Sequence, residues 1–136
     1  MSLARRILGV EDDPTLQEAM RRRLADRFEV ATAPDLGAAL RWLTSGVPDA
    51  VCIDLGLPYE SGYELCEHIR RTPPLTRVPI LVTSERSFPQ DMAHAEDAGA
   101  NVFLRKPFSM TLLAETIDEL WAGPRSRRDV RRLRSW

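Results

Sequence analysis

Short apolar runs alternate along the chain with segments whose apolar residues recur every three to four positions. The runs are rich in Val, Ile and Leu, and they stop abruptly at polar residues. Runs of this length and composition are typical of strands buried on both faces of a parallel sheet. The pattern predicts five strands, at residues 6–10, 28–31, 50–53, 79–82 and 102–104.

A helical segment follows each predicted strand. Good N-cap residues precede four of the helices, namely Asp13, Asp35, Ser61 and Ser109, and Glu64 is placed to complete a capping box with Ser61. Gly99 is expected to end the fourth helix, and the fifth is expected to reach Trp121. The repeated strand–helix order predicts an α/β fold, a doubly wound five-stranded parallel sheet with five helices. Such a sheet binds ligands at the carboxyl ends of its strands.

The composition fits one globular domain. With 136 residues, 43% of them apolar, the chain can build one sizeable core but not two typical domains. Its two cysteines lie in apolar stretches, which indicates buried thiols in a reducing compartment. No window approaches the ~18 apolar residues of a membrane helix, and the N-terminus lacks the features of a signal peptide. We therefore expect a soluble, cytoplasmic protein without membrane contact.

Charge divides the chain into two parts. Residues 1–120 carry 13 basic and 19 acidic side chains, whereas residues 121–136 carry six Arg and one Asp. We expect a folded domain over residues 5–122, followed by a basic C-terminal tail or linker over residues 123–136. Two interpretations of the tail stay open. It is a solvated connection to a further domain, or its arginines contact nucleic-acid phosphates or an acidic partner.

Polar residues cluster where four of the predicted strands end. They are residues 11–13 (Glu-Asp-Asp), Asp54, residues 83–84 (Thr-Ser) and Lys106 with Pro107. The parallel order gathers these positions on one rim, where converging carboxylates repel one another unless a hard cation such as Mg²⁺ is bound. A carboxylate there can attack phosphorus while a lysine and a hydroxyl stabilise the phosphoryl oxygens. Asp13 is expected chiefly to cap the first helix.

These motifs resemble those of the CheY-like receiver domains of response regulators in two-component signalling. The resemblance spans about residues 5–122 and rests on residues 7–13 (ILGVEDD), 54–58 (DLGLP), 61–62 (SG), 82–84 (VTS) and 98–108 (AGANVFLRKPF). It implies a flavodoxin-like, receiver-type sheet. It also implies that Asp54 is the phosphoacceptor.

The resemblance implies roles for the other matching residues. Mg²⁺ would be bound by Glu11, Asp12, Asp54 and the backbone carbonyl of Gly56, and the phosphoryl group would pair with Lys106 and with the backbone at Leu55, Gly56 and Ser84. The Lys106–Pro107 peptide bond corresponds to one that is typically cis. Thr83 corresponds to a switch hydroxyl, and Phe103 to an aromatic residue that changes rotamer with it. The surface of the fourth helix, fifth strand and fifth helix would then change shape.

The implied function is phosphoacceptor signalling rather than enzymatic turnover. A sensor histidine kinase or phosphotransfer protein would donate the phosphoryl group, and an output domain or partner protein would respond. Family members also form homodimers, although Asn101 and Val102 stand where an acidic pair is common, which does not favour a charge-paired dimer. Two alternatives stay open. One is an interaction module that works without phosphorylation, and the other is a hydrolase with an aspartyl nucleophile, in which a second Asp usually stands at the position of Gly56.

Overall fold

The computed structural model describes residues 4–57, 60–121 and 131–133. Within them the elements follow in the order β1 (Arg5–Val10), α1 (Pro14–Arg23), β2 (Phe28–Ala33), α2 (Leu36–Thr44), β3 (Ala50–Asp54), α3 (Gly62–Arg71), β4 (Ile80–Ser84), α4 (Pro89–Ala98), β5 (Val102–Arg105), α5 (Met110–Glu119) and β6 (Arg131–Leu133), with a 3-10 helix at Pro73–Leu75. All pairings are parallel, and the spatial order is β2-β1-β3-β4-β5-β6. The predicted α/β fold, with five strands and five helices in a doubly wound sheet, is confirmed.

Two features differ from the sequence-based expectation. The short strand β6 lies in the segment expected to be a tail and extends the sheet by pairing with β5. The helix α5 ends at Glu119 rather than at Trp121. Trp121 instead lies 6.5 Å from the ring of Phe28, and the guanidinium of Arg5 covers it at 3.9 Å. The tail arginines at positions 125, 127, 128 and 134 lie outside the described residues.

The sheet separates two apolar cores, as alternation of side chains along buried strands requires. One core contains Ile80 and Val82 of β4 together with Phe103 of β5. The other contains Leu81 and Leu104 from the same two strands. Adjacent residues of β4 therefore face opposite sides of the sheet, and so do Thr83 and Ser84 at the end of the strand.

The expected caps are formed at three helices in the predicted way. The carboxylates of Asp13 and Asp35 accept hydrogen bonds from the backbone N of Thr15 and Ala38 at 2.9 and 2.8 Å. Ser109 caps α5 in the same manner. Ser61 also caps α3 as predicted, but its hydroxyl accepts from the backbone N of Tyr63 at 3.1 Å rather than from that of Glu64, so the cap differs from the predicted capping box.

Both cysteines are buried free thiols. Burial raises the pKa of Cys52 to about 12, and it raises the pKa of Cys66 to about 12 as well. Among the described residues, no helix combines the length and apolar character that crossing a bilayer would require.

Candidate functional site

Three carboxylates meet at the carboxyl ends of β1 and β3. Glu11 directly follows β1, Asp12 comes next, and Asp54 is the last residue of β3. One carboxylate oxygen from each lies within 4.8 Å of the others. Glu11 and Asp54 are buried, and Asp12 is half-buried. The parallel arrangement of β1 and β3 thus produces the acidic cluster that the sequence predicted at this rim, and we refer to these three residues as the acidic cluster.

Lys106 neutralises part of the acidic cluster from the end of β5. Its Nζ donates to Glu11 Oε1 at 2.9 Å and to Asp54 Oδ2 at 3.1 Å. Burial alone would lower the pKa of Lys106, but the hydrogen bond to Glu11 and the charges of Asp54 and Glu11 outweigh it, so the pKa is raised. The side chain therefore stays protonated. The backbone N of Lys106 donates to the carbonyl of Ser84 at 2.8 Å, and the Lys106–Pro107 bond is cis.

The carboxyl of Glu11 shows how strongly the rim is desolvated. Burial raises its pKa, and the charge of Asp54 acts in the same direction. Hydrogen bonds from Lys106 and from the backbone N of Asp13 act in the opposite direction without cancelling the rise. The groups that donate to Glu11 thus offset only part of the effect of burial and of the neighbouring carboxylate.

The loop after β3 holds Asp54 in place. The backbone N of Gly56 donates to Asp54 Oδ1 at 2.8 Å, and the backbone N of Leu55 donates to the carbonyl of Thr83 at 2.9 Å. Gly62, the first residue of α3, lies so close that a Cβ there would be 2.5 Å from the Asp54 carbonyl oxygen and 2.9 Å from Leu55 Cα. In the sequence, Gly62 is recognisable only as part of a motif, because a contact between distant segments leaves no local signal.

The acidic cluster forms part of the wall of a cleft of about 510 Å³. The described residues that line the cleft are Glu11, Asp12, Asp13, Asp54, Leu55, Gly56, Tyr63, Ser84, Glu85, Arg86, Asp91 and Lys106. The carboxylate oxygens of the acidic residues in this lining form a donor set that suits a hard divalent cation. Pro58, which belongs to the sequence motif after Asp54, lies outside the described residues.

The two hydroxyls at the end of β4 are placed differently. Thr83 is paired with Asp54 in the sheet and is 2% exposed, but it is not among the lining residues. Ser84 lines the cleft, and its Oγ accepts from the backbone N of Arg86 at 3.0 Å. By strand alternation Ser84 also shares its side of the sheet with Val82, and therefore with Phe103, which is 1% exposed. Thr83 thus shares its side of the sheet with its pairing partner Asp54, whereas Ser84 lines the cleft from the opposite side of β4.

Two further cleft residues were not singled out from the sequence. Tyr63 of α3 stacks on His94 of α4, with ring centroids 3.6 Å apart and planes 8° apart. Arg86 follows β4 and lies 3.6 Å from Asp91 of α4. Neither residue belongs to a recognisable motif, since each reaches the cleft through the geometry of a loop or a helix start.

Comparison with known proteins places the chain in a family. A family model described as the response regulator receiver domain matches residues 7–118. The response regulator MprA of Mycolicibacterium vanbaalenii is 38% identical over 106 residues, which cover 77% of this chain and 45% of that protein. MprA of Mycobacterium leprae is 35% identical over 116 residues, covering 85% of this chain and 50% of its own length. The chain thus spans about half the length of the curated relatives it matches.

Solved structures show the same fold. The chemotaxis response regulator CheY4 of Vibrio cholerae superposes with a TM-score of 0.82 at 25% identity, covering 86% of this chain and 98% of that one. The signal receiver domain of a signal transduction histidine kinase from Syntrophus aciditrophicus gives a TM-score of 0.79 at 30% identity, covering 88% and 92%.

Proposed function

Because this chain belongs to the family of response regulator receiver domains, we propose that it is a phosphoacceptor signalling domain in which Asp54 takes up a phosphoryl group. The observation that carries the proposal is the contact of Lys106 Nζ with both Glu11 and Asp54 on the wall of an open cleft. A buried carboxylate that is reachable from solvent and held by a cation is suited to act as a nucleophile.

We propose that Glu11, Asp12, Asp54 and the backbone carbonyl of Gly56 hold Mg²⁺. The convergence of the acidic cluster within 4.8 Å supports this assignment, because these oxygens need a cation to lie so close. A bound Mg²⁺ would supply charge neutralisation for the phosphoryl oxygens. Asp13 takes no part in this set, since its carboxylate already caps α1.

The proposed reaction transfers the phosphoryl group from a phosphohistidine. An oxygen of Asp54 forms a bond to phosphorus while the bond between phosphorus and the imidazole nitrogen breaks, and the electron pair returns to the imidazole. The residues of the chain contribute orientation and electrostatics. Lys106 keeps its positive charge beside the attacking carboxylate, and the backbone at Gly56 and Ser84 would donate to phosphoryl oxygens. The backbone N of Leu55, which the sequence resemblance also implied, already donates to the carbonyl of Thr83 at 2.9 Å.

We propose that Thr83 supplies the hydroxyl that senses the phosphoryl group, because Thr83 is paired with Asp54 and faces the same side of the sheet. Movement of the Thr83 side chain toward the phosphoryl group would vacate space that Phe103, which is paired with Val82 in the sheet, could fill. The shift would be passed to the surface formed by α4, β5 and α5. The sequence resemblance implies the same role for Thr83.

The partners follow from the proposed chemistry. A sensor histidine kinase or a phosphotransfer protein would donate the phosphoryl group, and an output domain or partner protein would read the changed surface. The curated relatives are about twice as long as the matched region, which supports an output domain in the intact regulator.

The proposal is tested by labelling with acetyl phosphate in the presence of Mg²⁺. Wild-type protein should gain one phosphoryl group, detected by intact mass, and Asp54→Asn should gain none. Asp13→Asn is the matched control, because Asn also caps helices well and the acidic cluster is left intact. Labelling should stop when Mg²⁺ is chelated. Undiminished labelling of Asp54→Asn would refute the assignment of the acceptor.

A further inference from the structure

The cleft carries a large excess of negative charge. Six acidic residues and two basic residues, Lys106 and Arg86, are among the described residues that line it, which leaves four unbalanced negative charges. A phosphoryl group adds about −1.5 to −2 more. Any cation that can reach Asp54 therefore affects uptake of the group more strongly than a cation elsewhere on the surface.

Lys106 is already engaged in two ion pairs. Its Nζ already contacts Glu11 at 2.9 Å and Asp54 at 3.1 Å, and its side chain is only 16% exposed. A movement away from Glu11 would leave a buried carboxylate without its ion-pair partner, which is costly. Lys106 can therefore pair with a phosphoryl group on Asp54 only while it also stays paired with Glu11, so part of its charge is engaged before the group arrives.

Arg86 is placed differently. Its side chain is 71% exposed, and its Nε lies 3.6 Å from Asp91 Oδ1. The guanidinium also lies 5.8 Å from the ring of Phe88, which is itself exposed. The side chain of Asp91 is only 15% exposed, but its Oδ2 keeps the hydrogen bond from the backbone N of Phe88 at 3.0 Å when Arg86 moves. The guanidinium can therefore leave its own long contact at modest cost. The backbone N of Arg86 is fixed to Ser84 Oγ at 3.0 Å, so the movable side chain starts from a fixed point on the cleft.

We propose that Arg86 is a second cation for the phosphoryl group, a role that rests on the proposed function of Asp54. Its planar fork of donors suits phosphate oxygens better than it suits the single long contact with Asp91. With acetyl phosphate as donor, the Asp54 oxygen–phosphorus bond forms as the bond between phosphorus and the acetate oxygen breaks. Acetate leaves with the electron pair. Arg86 forms no covalent bond in this step and donates hydrogen bonds to the non-bridging oxygens throughout.

The test compares three variants labelled with acetyl phosphate and Mg²⁺. Arg86→Ala removes the cation, and Arg86→Lys keeps the charge without the fork. Arg105→Ala is the matched control, because Arg105 is an exposed cation at the same rim that does not line the cleft. The second-order rate constant for labelling should fall about fivefold in Arg86→Ala, the upper range for one exposed ion pair. Arg86→Lys should recover part of the loss, and Arg105→Ala should match wild type.

The remaining checks are the salt dependence of the labelling rate and the fold of each variant. The difference between wild type and Arg86→Ala should shrink as salt is added, because the contact is partly exposed. Circular dichroism should show no change of fold. Equal labelling of Arg86→Ala and wild type would overturn the role of Arg86 alone, as would an equal loss in Arg105→Ala. Failure of wild-type protein to label would instead overturn the function proposed for Asp54, and the role of Arg86 with it.

Discussion

Replacement of Gly62 by Ala should destabilise the domain at the point where α3 meets the end of β3. The added Cβ would lie 2.5 Å from the Asp54 carbonyl oxygen, 2.9 Å from Leu55 Cα and 3.0 Å from Ile53 Cγ2. Ordinary contact begins at 3.4 Å, so the helix start must move by as much as about 0.9 Å. Two of the three obstructing atoms belong to the backbone of a central strand and its loop, which cannot rotate away.

The change in the free energy of unfolding of Gly62→Ala is the difference between two opposing effects. Overpacking of this kind costs about 1–3 kcal/mol. The helix propensity of Ala returns at most about 1 kcal/mol, and less at the first residue of a helix. A net loss of about 2 kcal/mol should lower the Tm by roughly 6–12 °C for a domain of this size. The rate of labelling at Asp54 should fall as well, because its carbonyl is pushed by the new methyl group.

Gly37→Ala is the matched control, since Gly37 also lies in the first turn of a helix. Its added Cβ would lie 3.4 Å from Arg41 Nη1 and 3.6 Å from Asp35 Oδ1, which is ordinary contact or close to it. This variant should be unchanged or more stable by up to about 1 kcal/mol. Urea unfolding followed by circular dichroism measures both variants. If Gly62→Ala proved as stable as Gly37→Ala, the steric argument would be wrong.

Two further predictions concern the hydroxyls of β4 and the buried thiols. Thr83→Val, which keeps the shape of the side chain, should alter the lifetime of the phosphorylated state, whereas Ser84→Ala should leave it near wild type; the reverse order would assign the role to Ser84. Because burial raises the pKa of Cys52 and of Cys66 to about 12, both thiols stay protonated at mildly alkaline pH, below that value. An aromatic disulfide reagent should therefore modify neither in the native protein and both in guanidinium chloride, and rapid native modification would contradict the burial of the thiol concerned.

Strand order and the acidic cluster were predictable because they depend on patterns that the chain carries locally. Apolar runs separated by capped helices specify a parallel sheet, and a parallel sheet places the residues after its strands on one rim. Glu11, Asp12, Asp54 and Lys106 therefore met where the sequence placed them. Phe103 was likewise expected inside the fold and is buried there.

The remaining details depended on geometry that the sequence does not specify. Thr83 and Ser84 are neighbours with similar side chains, and only the pairing of β3 with β4 decides which one shares the side of the sheet with Asp54. The role of Gly62 arises from contact with residues that precede it by a whole loop. Arg86 is one of many arginines, and its place on the wall of the cleft follows from the path of the chain after β4.

The stacked rings of Tyr63 and His94 form a natural spectroscopic probe of the fold. The face of one ring shields the protons of the other at 3.6 Å, and α3 and α4 each supply one partner. Any rotation of α4 against α3 must separate the rings and change that shielding. The chain contains only two histidines, so the imidazole signal of His94 can be followed in one-dimensional proton spectra of unlabelled protein. A movement of α4 that begins at the cleft would therefore be detected as a change in the chemical shift of the His94 imidazole protons.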